Sequence, residues 1–122
     1  EHLYLDHFFK ELTYNPTAIK EEDVAEYVRQ YSAPGALRAG FEYYRTMLEE
    51  GKYNQKYKEQ KLTMPILAYG GEFSTGDYLR QSLLSIATHV EGGSIPECGH
   101  FIAEEQPEFL IKELTKFLSG SN

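Results

Sequence analysis

The chain is 122 residues long, 41% hydrophobic and 25% charged, the profile of one folded domain of ordinary size rather than a disordered segment. Its formal charge of −7 argues against a nucleic-acid partner and against an anionic membrane surface, both of which call for a basic face, and no apolar run approaches the roughly 18 residues of a membrane span. A lone cysteine, Cys98, excludes an internal disulfide framework and a cysteine zinc site.

The first residues already read as the inside of a helix. Over Glu1–Leu12, the apolar Leu5, Phe8, Phe9 and Leu12 recur at i, i+3, i+4 and i+7 with no cap ahead of them. Such a start is expected of a processed chain or of a piece of something longer. No basic-then-apolar signal opens the chain, and any signal peptide would precede Glu1, so the compartment is left open. Asn15-Pro16 ends this helix, because the residue before proline is pushed out of the helical region. A second helix follows at about 20–32, with Val24, Tyr27, Val28 and Tyr31 on its apolar face and Glu21, Glu22 and Asp23 where the macrodipole favours anions. A third spans about 36–50, with Leu37, Phe41, Tyr44 and Leu48 on one stripe and Gly51 as its expected stop. Residues 52–61 hold Lys52, Lys56, Lys58 and Lys61 and few aliphatics, a solvated connector or an exposed helical turn.

At Leu62 the character changes. Met64–Tyr69 is a short apolar run closed by Gly70-Gly71, which predicts a buried strand. Leu79, Leu83, Ile86 and Ala87 predict a helix over about 77–88, and Val90–Ile95 predicts a second strand, interrupted by Gly92-Gly93. Residues 96–101 form a loop. A last helix over about 105–118 is expected to bury Phe109, Leu110, Leu114, Phe117 and Leu118 before the fraying Gly120-Ser121-Asn122. The order is three helices, then strand–helix–strand–helix, which is a parallel unit. Two parallel strands do not make a stable sheet alone, so the second half is expected to be the end of a larger one.

Four histidines are available for chemistry. His2 and His7 lie five apart, about 140° around a helix, so they do not form a metal pair. His89 begins a strand and reads as a surface residue. His100 sits behind Gly99 at the carboxyl end of a parallel strand, where open α/β sheets place their sites, though position alone does not decide between a functional and a structural role. Cys98 lies two residues away and reads as a packing residue, since a Cys–His dyad must meet through space. Gly70-Gly71 with Gly76 lacks the pattern of a phosphate-binding loop. Glu72 and Asp77, in the same loop, are acids able either to orient a histidine or simply to open the next helix. Taken alone, Tyr44 belongs to its helix's apolar stripe.

Three segments together resemble a family: Phe41-Glu42-Tyr43-Tyr44-Arg45; Met64-Pro65-Ile66-Leu67-Ala68-Tyr69-Gly70-Gly71; and, after Val90-Glu91-Gly92, Ile95-Pro96-Glu97-Cys98-Gly99-His100-Phe101 with Glu104-Glu105 and Pro107 behind. They are similar to the carboxyl-terminal part of an α/β-hydrolase, nearest to the epoxide hydrolase branch, whose relatives include haloalkane and haloacetate dehalogenases. The Gly-His segment is common to many α/β-hydrolases; joined to Tyr-Tyr-Arg it is specific to this branch. The resemblance implies an α/β fold in which residues 1–61 belong to the helical cap (lid) and residues 62–122 to the carboxyl-terminal part of the core.

The same resemblance implies that His100 is the base that activates water against a covalent ester, and that Tyr44 hydrogen-bonds the epoxide oxygen. It implies no cofactor and no metal, only a small-molecule substrate. The family's nucleophile elbow has no counterpart in these residues, since Gly92-Gly93-Ser94 runs into Ile95-Pro96. The family's acid often follows the penultimate strand in a Gly-x-x-Asp pattern, where this chain has Gly71-Glu72-Phe73-Ser74. Either Glu72 or Asp77 replaces it, or the acid follows an earlier strand outside the chain. The expected function is therefore a share in hydrolysis through a covalent ester, most simply of an epoxide, by a chain inactive on its own. Its partner is the missing amino-terminal half or another copy. The rival readings are an esterase or a haloalkane or haloacetate dehalogenase of the same fold, and a truncated, non-catalytic domain that self-associates.

Overall fold

Helix α1, His2–Glu11, turns Leu5 inward to burial, while Phe9 reaches two neighbours, with ring centroids 5.1 Å from both Tyr27 and Phe101. The computed structural model describes residues 2–57 and 59–120; Glu1, Lys58, Ser121 and Asn122, all named above, lie outside the described residues. The break after α1 is local chemistry: Asn15 Oδ1 accepts from the Thr17 amide at 3.0 Å, an Asx turn ahead of α2, Glu21–Tyr31. Asp23 closes the start of α2 by accepting the Lys20 amide at 3.2 Å. Gly35, with φ of 84°, opens α3, Ala36–Asn54.

Gly51 is not the stop it was expected to be: α3 runs through it to Asn54 and tightens into a 3₁₀ turn, Gln55–Tyr57. The reason is that Gly51 stays helical on an open face, where nothing pulls it into the left-handed conformation that ends a helix. The α3 stripe is likewise not packed as a core. Phe41 meets Tyr4 of α1 edge-on at 5.8 Å, but Tyr44 is 69% and Leu48 77% exposed, because no layer covers this face of the helix.

The strand pair forms as expected, β1 (Ile66–Gly71) parallel to β2 (Val90–Ile95), with Ile66 opposite Val90 and Gly71 opposite Ile95. Strand β1 starts two residues later and ends two residues later than its apolar run. Pro65 has no amide to enter the ladder with, and Ile66 supplies the first bond, to His89 O at 3.0 Å. Gly92 has φ of 119°, and a Cβ there would lie 1.9 Å from Ala68 O, so only glycine lets the strands close at that point. Helix α4 is confined to Tyr78–Leu83, against an expected 77–88: the chain tightens over 84–86 so that Ala87 bridges to Leu62.

The last helix starts earlier than expected and in two pieces, α5 (Ile102–Glu105) and α6 (Pro107–Leu118). Gln106 breaks them, in line with the bias of a residue before proline away from helix. Tyr69 of β1 holds α6 through a ring contact with Phe109 (5.2 Å) and a hydrogen bond from its hydroxyl to Glu113 Oε2 (2.9 Å). Phe109, Leu110 and Phe117 are half-buried, while Leu114 and Leu118 are exposed, contrary to the expected buried face, because two strands offer α6 too little sheet to lie on. The tight core is small: Ala68, Ala87, Ile95 and Cys98 around the sheet, and Leu5, Ile19 and Val24 under the helices.

Candidate active site

The loop between β2 and α5 carries His100, and its shape follows from close backbone approaches. Glu97 turns the chain with a positive φ of 50°, its amide donating to Glu72 Oε2 at 3.2 Å and its carbonyl accepting from the Gln106 side chain at 3.2 Å. Cys98 is fully buried, and burial pushes its thiol up to about 11, so it packs as a neutral group. Gly99 lies against the chain leaving α1: a Cβ on it would be 2.3 Å from Leu12 O and 2.7 Å from Tyr14 N. A Cβ on Gly71 would sit 1.9 Å from Gly99 O. Glycine at both places lets β1, the loop and the end of α1 meet.

His100 emerges from this junction exposed. Its amide donates to Leu12 O at 2.7 Å, its ring packs edge-on against Phe101 at 5.2 Å, and Ser74 Oγ lies 3.4 Å from its Nδ1. Ser74 follows β1 in the loop that Phe73 ties down, stacked on Tyr14 at 4.5 Å. Glu105, at the end of α5, gathers three backbone amides, Tyr14 at 2.7 Å, Asn15 at 3.2 Å and Gly99 at 3.0 Å.

In front of His100 opens a cleft of about 700 Å³ between α1, α2 and α3, lined chiefly by aromatic and aliphatic side chains. Tyr43 and Tyr44 of α3 line it together with His100. Among its lining residues there is no Asp, Glu, Lys or Arg. The structure thus brings His100 and Tyr44 to one cleft. It takes the two candidate acids elsewhere. Asp77 is paired with Arg80 at 2.7 and 2.9 Å and with Gln81 at 2.7 Å, and these bonds hold its carboxyl below the usual range. Glu72 is turned to the Glu97 amide. His2, His7 and His89 are exposed and line no part of this cleft. Among the described residues no three His, Cys, Asp or Glu side chains are placed to hold a metal, and no helix is long and apolar enough to cross a membrane.

Sequence reasoning did not single out Tyr43 or Glu105 as site residues. Tyr43 adjoins Tyr44, and both face the cleft because the helix is uncovered. Glu105 stands in the segment that carries the resemblance, but its role there is not legible, since two of its partners are about 90 residues away.

No family model matches the chain. A soluble epoxide hydrolase from Corynebacterium sp. (strain C12) is 44% identical to it over 119 residues, which is 96% of this chain and 41% of that protein. Among solved structures, the epoxide hydrolase CorEH without ligand matches with a TM-score of 0.91 at 41% identity, over 99% of this chain and 43% of that one. The Cif epoxide hydrolase from Acinetobacter nosocomialis matches at 0.86 with 27% identity, over 95% and 38% of the respective chains. The chain therefore spans about two fifths of the length of these relatives. In sequence and in fold it matches the carboxyl-terminal part of an α/β-hydrolase of the epoxide hydrolase branch.

Proposed function

We propose that this chain supplies the water-activating histidine and part of the cap to an enzyme that hydrolyses a neutral, largely apolar epoxide through a covalent ester. On this reading residues 1–61 serve as cap and residues 62–122 as the end of the core, and the ester-forming carboxylate lies on residues other than these. The observation that carries it is the cleft: the His100 imidazole and the Tyr44 phenol share one space lined chiefly by aromatic and aliphatic side chains.

In the first half-reaction the carboxylate attacks one epoxide carbon, forming an ester C–O bond as the ring C–O bond breaks. The Tyr44 hydroxyl donates to the departing oxygen and passes it a proton, which stabilises the charge that develops there. In the second, His100 takes a proton from water while that water's oxygen adds to the ester carbonyl. The acyl C–O bond breaks, the leaving alkoxide collects the imidazolium proton to give the diol, and the proton of the regenerated carboxyl returns to the Tyr44 oxygen. The hydroxyl of Ser74 near Nδ1, and the engagement of Asp77 and Glu72 with other groups, support an acid supplied from outside these residues.

The test is a single-turnover experiment on the complete enzyme. Tyr44→Phe is expected to slow ester formation roughly 100-fold, the lower range for removing one oxyanion donor, and to leave ester hydrolysis unchanged. His100→Gln is expected to trap the ester as a mass increment equal to the substrate. Equal loss in both steps for Tyr44→Phe overturns its role, an ester on serine turns the reading to an esterase, and halide release turns it to a dehalogenase. The 122-residue chain alone is expected to be inert, and turnover by the pure chain refutes that. The partner expected on its exposed helix and sheet faces is the rest of the enzyme, with self-association, read by analytical ultracentrifugation, as the competing outcome.

A further inference from the structure

We infer that Glu105 is a positioning residue that clamps the segment leaving α1 to the catalytic loop and holds His100 in register for ester hydrolysis; this rests on the reading of His100 given above. One oxygen of its carboxylate accepts from the Gly99 amide at 3.0 Å, directly before His100. The other accepts from Tyr14 at 2.7 Å and Asn15 at 3.2 Å, in the segment leaving α1. That same segment provides the Leu12 carbonyl that accepts the His100 amide at 2.7 Å. His100 is therefore fixed at its backbone from two directions, and one side chain closes the circuit between them. Bonds to a charged acceptor are stronger than neutral ones, and no other side chain joins these two segments by hydrogen bonds among the described residues.

The mechanism separates this role from general structural support. His100 acts only in the second half-reaction, so loosening its backbone affects water attack and not ring opening. Glu105→Gln keeps the size of the side chain but turns one acceptor oxygen into a donor that faces amides. In the complete enzyme, single-turnover measurements are expected to show ester hydrolysis slowed about 10- to 100-fold, the range a misplacement near 1 Å brings, with ester formation within about two-fold of wild type, so that the ester accumulates. Equal slowing of both steps, or of neither, overturns the inference.

Amide hydrogen exchange on the unmodified enzyme provides a second readout that needs no variant. Tyr14, Asn15 and Gly99 are expected to open together, with one common protection. Free exchange at Tyr14 and Asn15 beside a protected Gly99 overturns the clamp. If the unmodified enzyme turns over no epoxide, the functional reading fails by itself, and the exchange pattern still decides whether the clamp exists.

Discussion

Replacing Gly99 by alanine puts the backbone junction under direct load. The added Cβ would meet Leu12 O at 2.3 Å, Tyr14 N at 2.7 Å and Thr13 Cα at 2.8 Å, all backbone atoms that cannot rotate away. Ordinary contact begins about 1 Å farther out than the shortest of these, so the loop and the end of α1 must part by about that distance. Overpacking of this kind costs about 1–3 kcal/mol. Parting the segments also weakens the His100 amide bond to Leu12, 2.7 Å long, worth about 1 kcal/mol. The expected loss is thus about 2–4 kcal/mol, read as a lower urea midpoint at constant slope in the complete enzyme, with ester hydrolysis slowed about 100-fold. Gly51→Ala is the control: nothing lies within 4 Å of its Cβ and its backbone is helical, so a gain of about 0.5–1 kcal/mol is expected. A Gly99→Ala variant as stable as wild type, within about 0.5 kcal/mol, refutes the close approach and with it the account of how His100 is aimed.

Ser74→Asp places a carboxylate beside His100 Nδ1, where the native oxygen lies at 3.4 Å. A nearby negative charge favours the imidazolium, so the acid limb of the pH–rate profile for ester hydrolysis is expected to move to higher pH; an unmoved limb means that this loop does not face the ring. For Tyr69, burial first and the Glu113 bond second push the phenol up to about 12. Its stabilising contribution is therefore full below pH about 10, the unfolded value, and is lost as pH rises toward 12. Tyr69→Phe is expected to flatten the alkaline decline of the unfolding midpoint, and an unchanged decline counts against the effect.

Local pattern made most elements legible. The 3.6-residue recurrence of Leu5, Phe8 and Phe9 and the Asn15-Pro16 break belong to the chain itself and reappear in α1 and its end. What failed were boundaries set by distant partners. Gly51 reads as a stop only if the chain needs to turn there, and it does not. The helix expected over 77–88 is cut short because Ala87 pairs with Leu62, across the parallel crossover. The burial of α3 and α6 was overestimated for one reason: an apolar stripe states that a face will be covered, not that the covering layer is among these residues.

By itself the sequence determined the chemistry on offer: one histidine after a parallel strand, a tyrosine pair on a helix, glycines where backbones meet, and no elbow for a nucleophile. Those are properties of residue type and spacing, which survive without any contact being known. Only the tertiary structure decided which of these groups share a space. It turned Asp77 to Arg80 and Glu72 to the Glu97 amide, set Ser74 near His100, and joined Glu105 to amides about 90 residues away. Hydrogen-bond partners across that separation depend on how segments pack, and packing leaves no periodic trace in the sequence of either one.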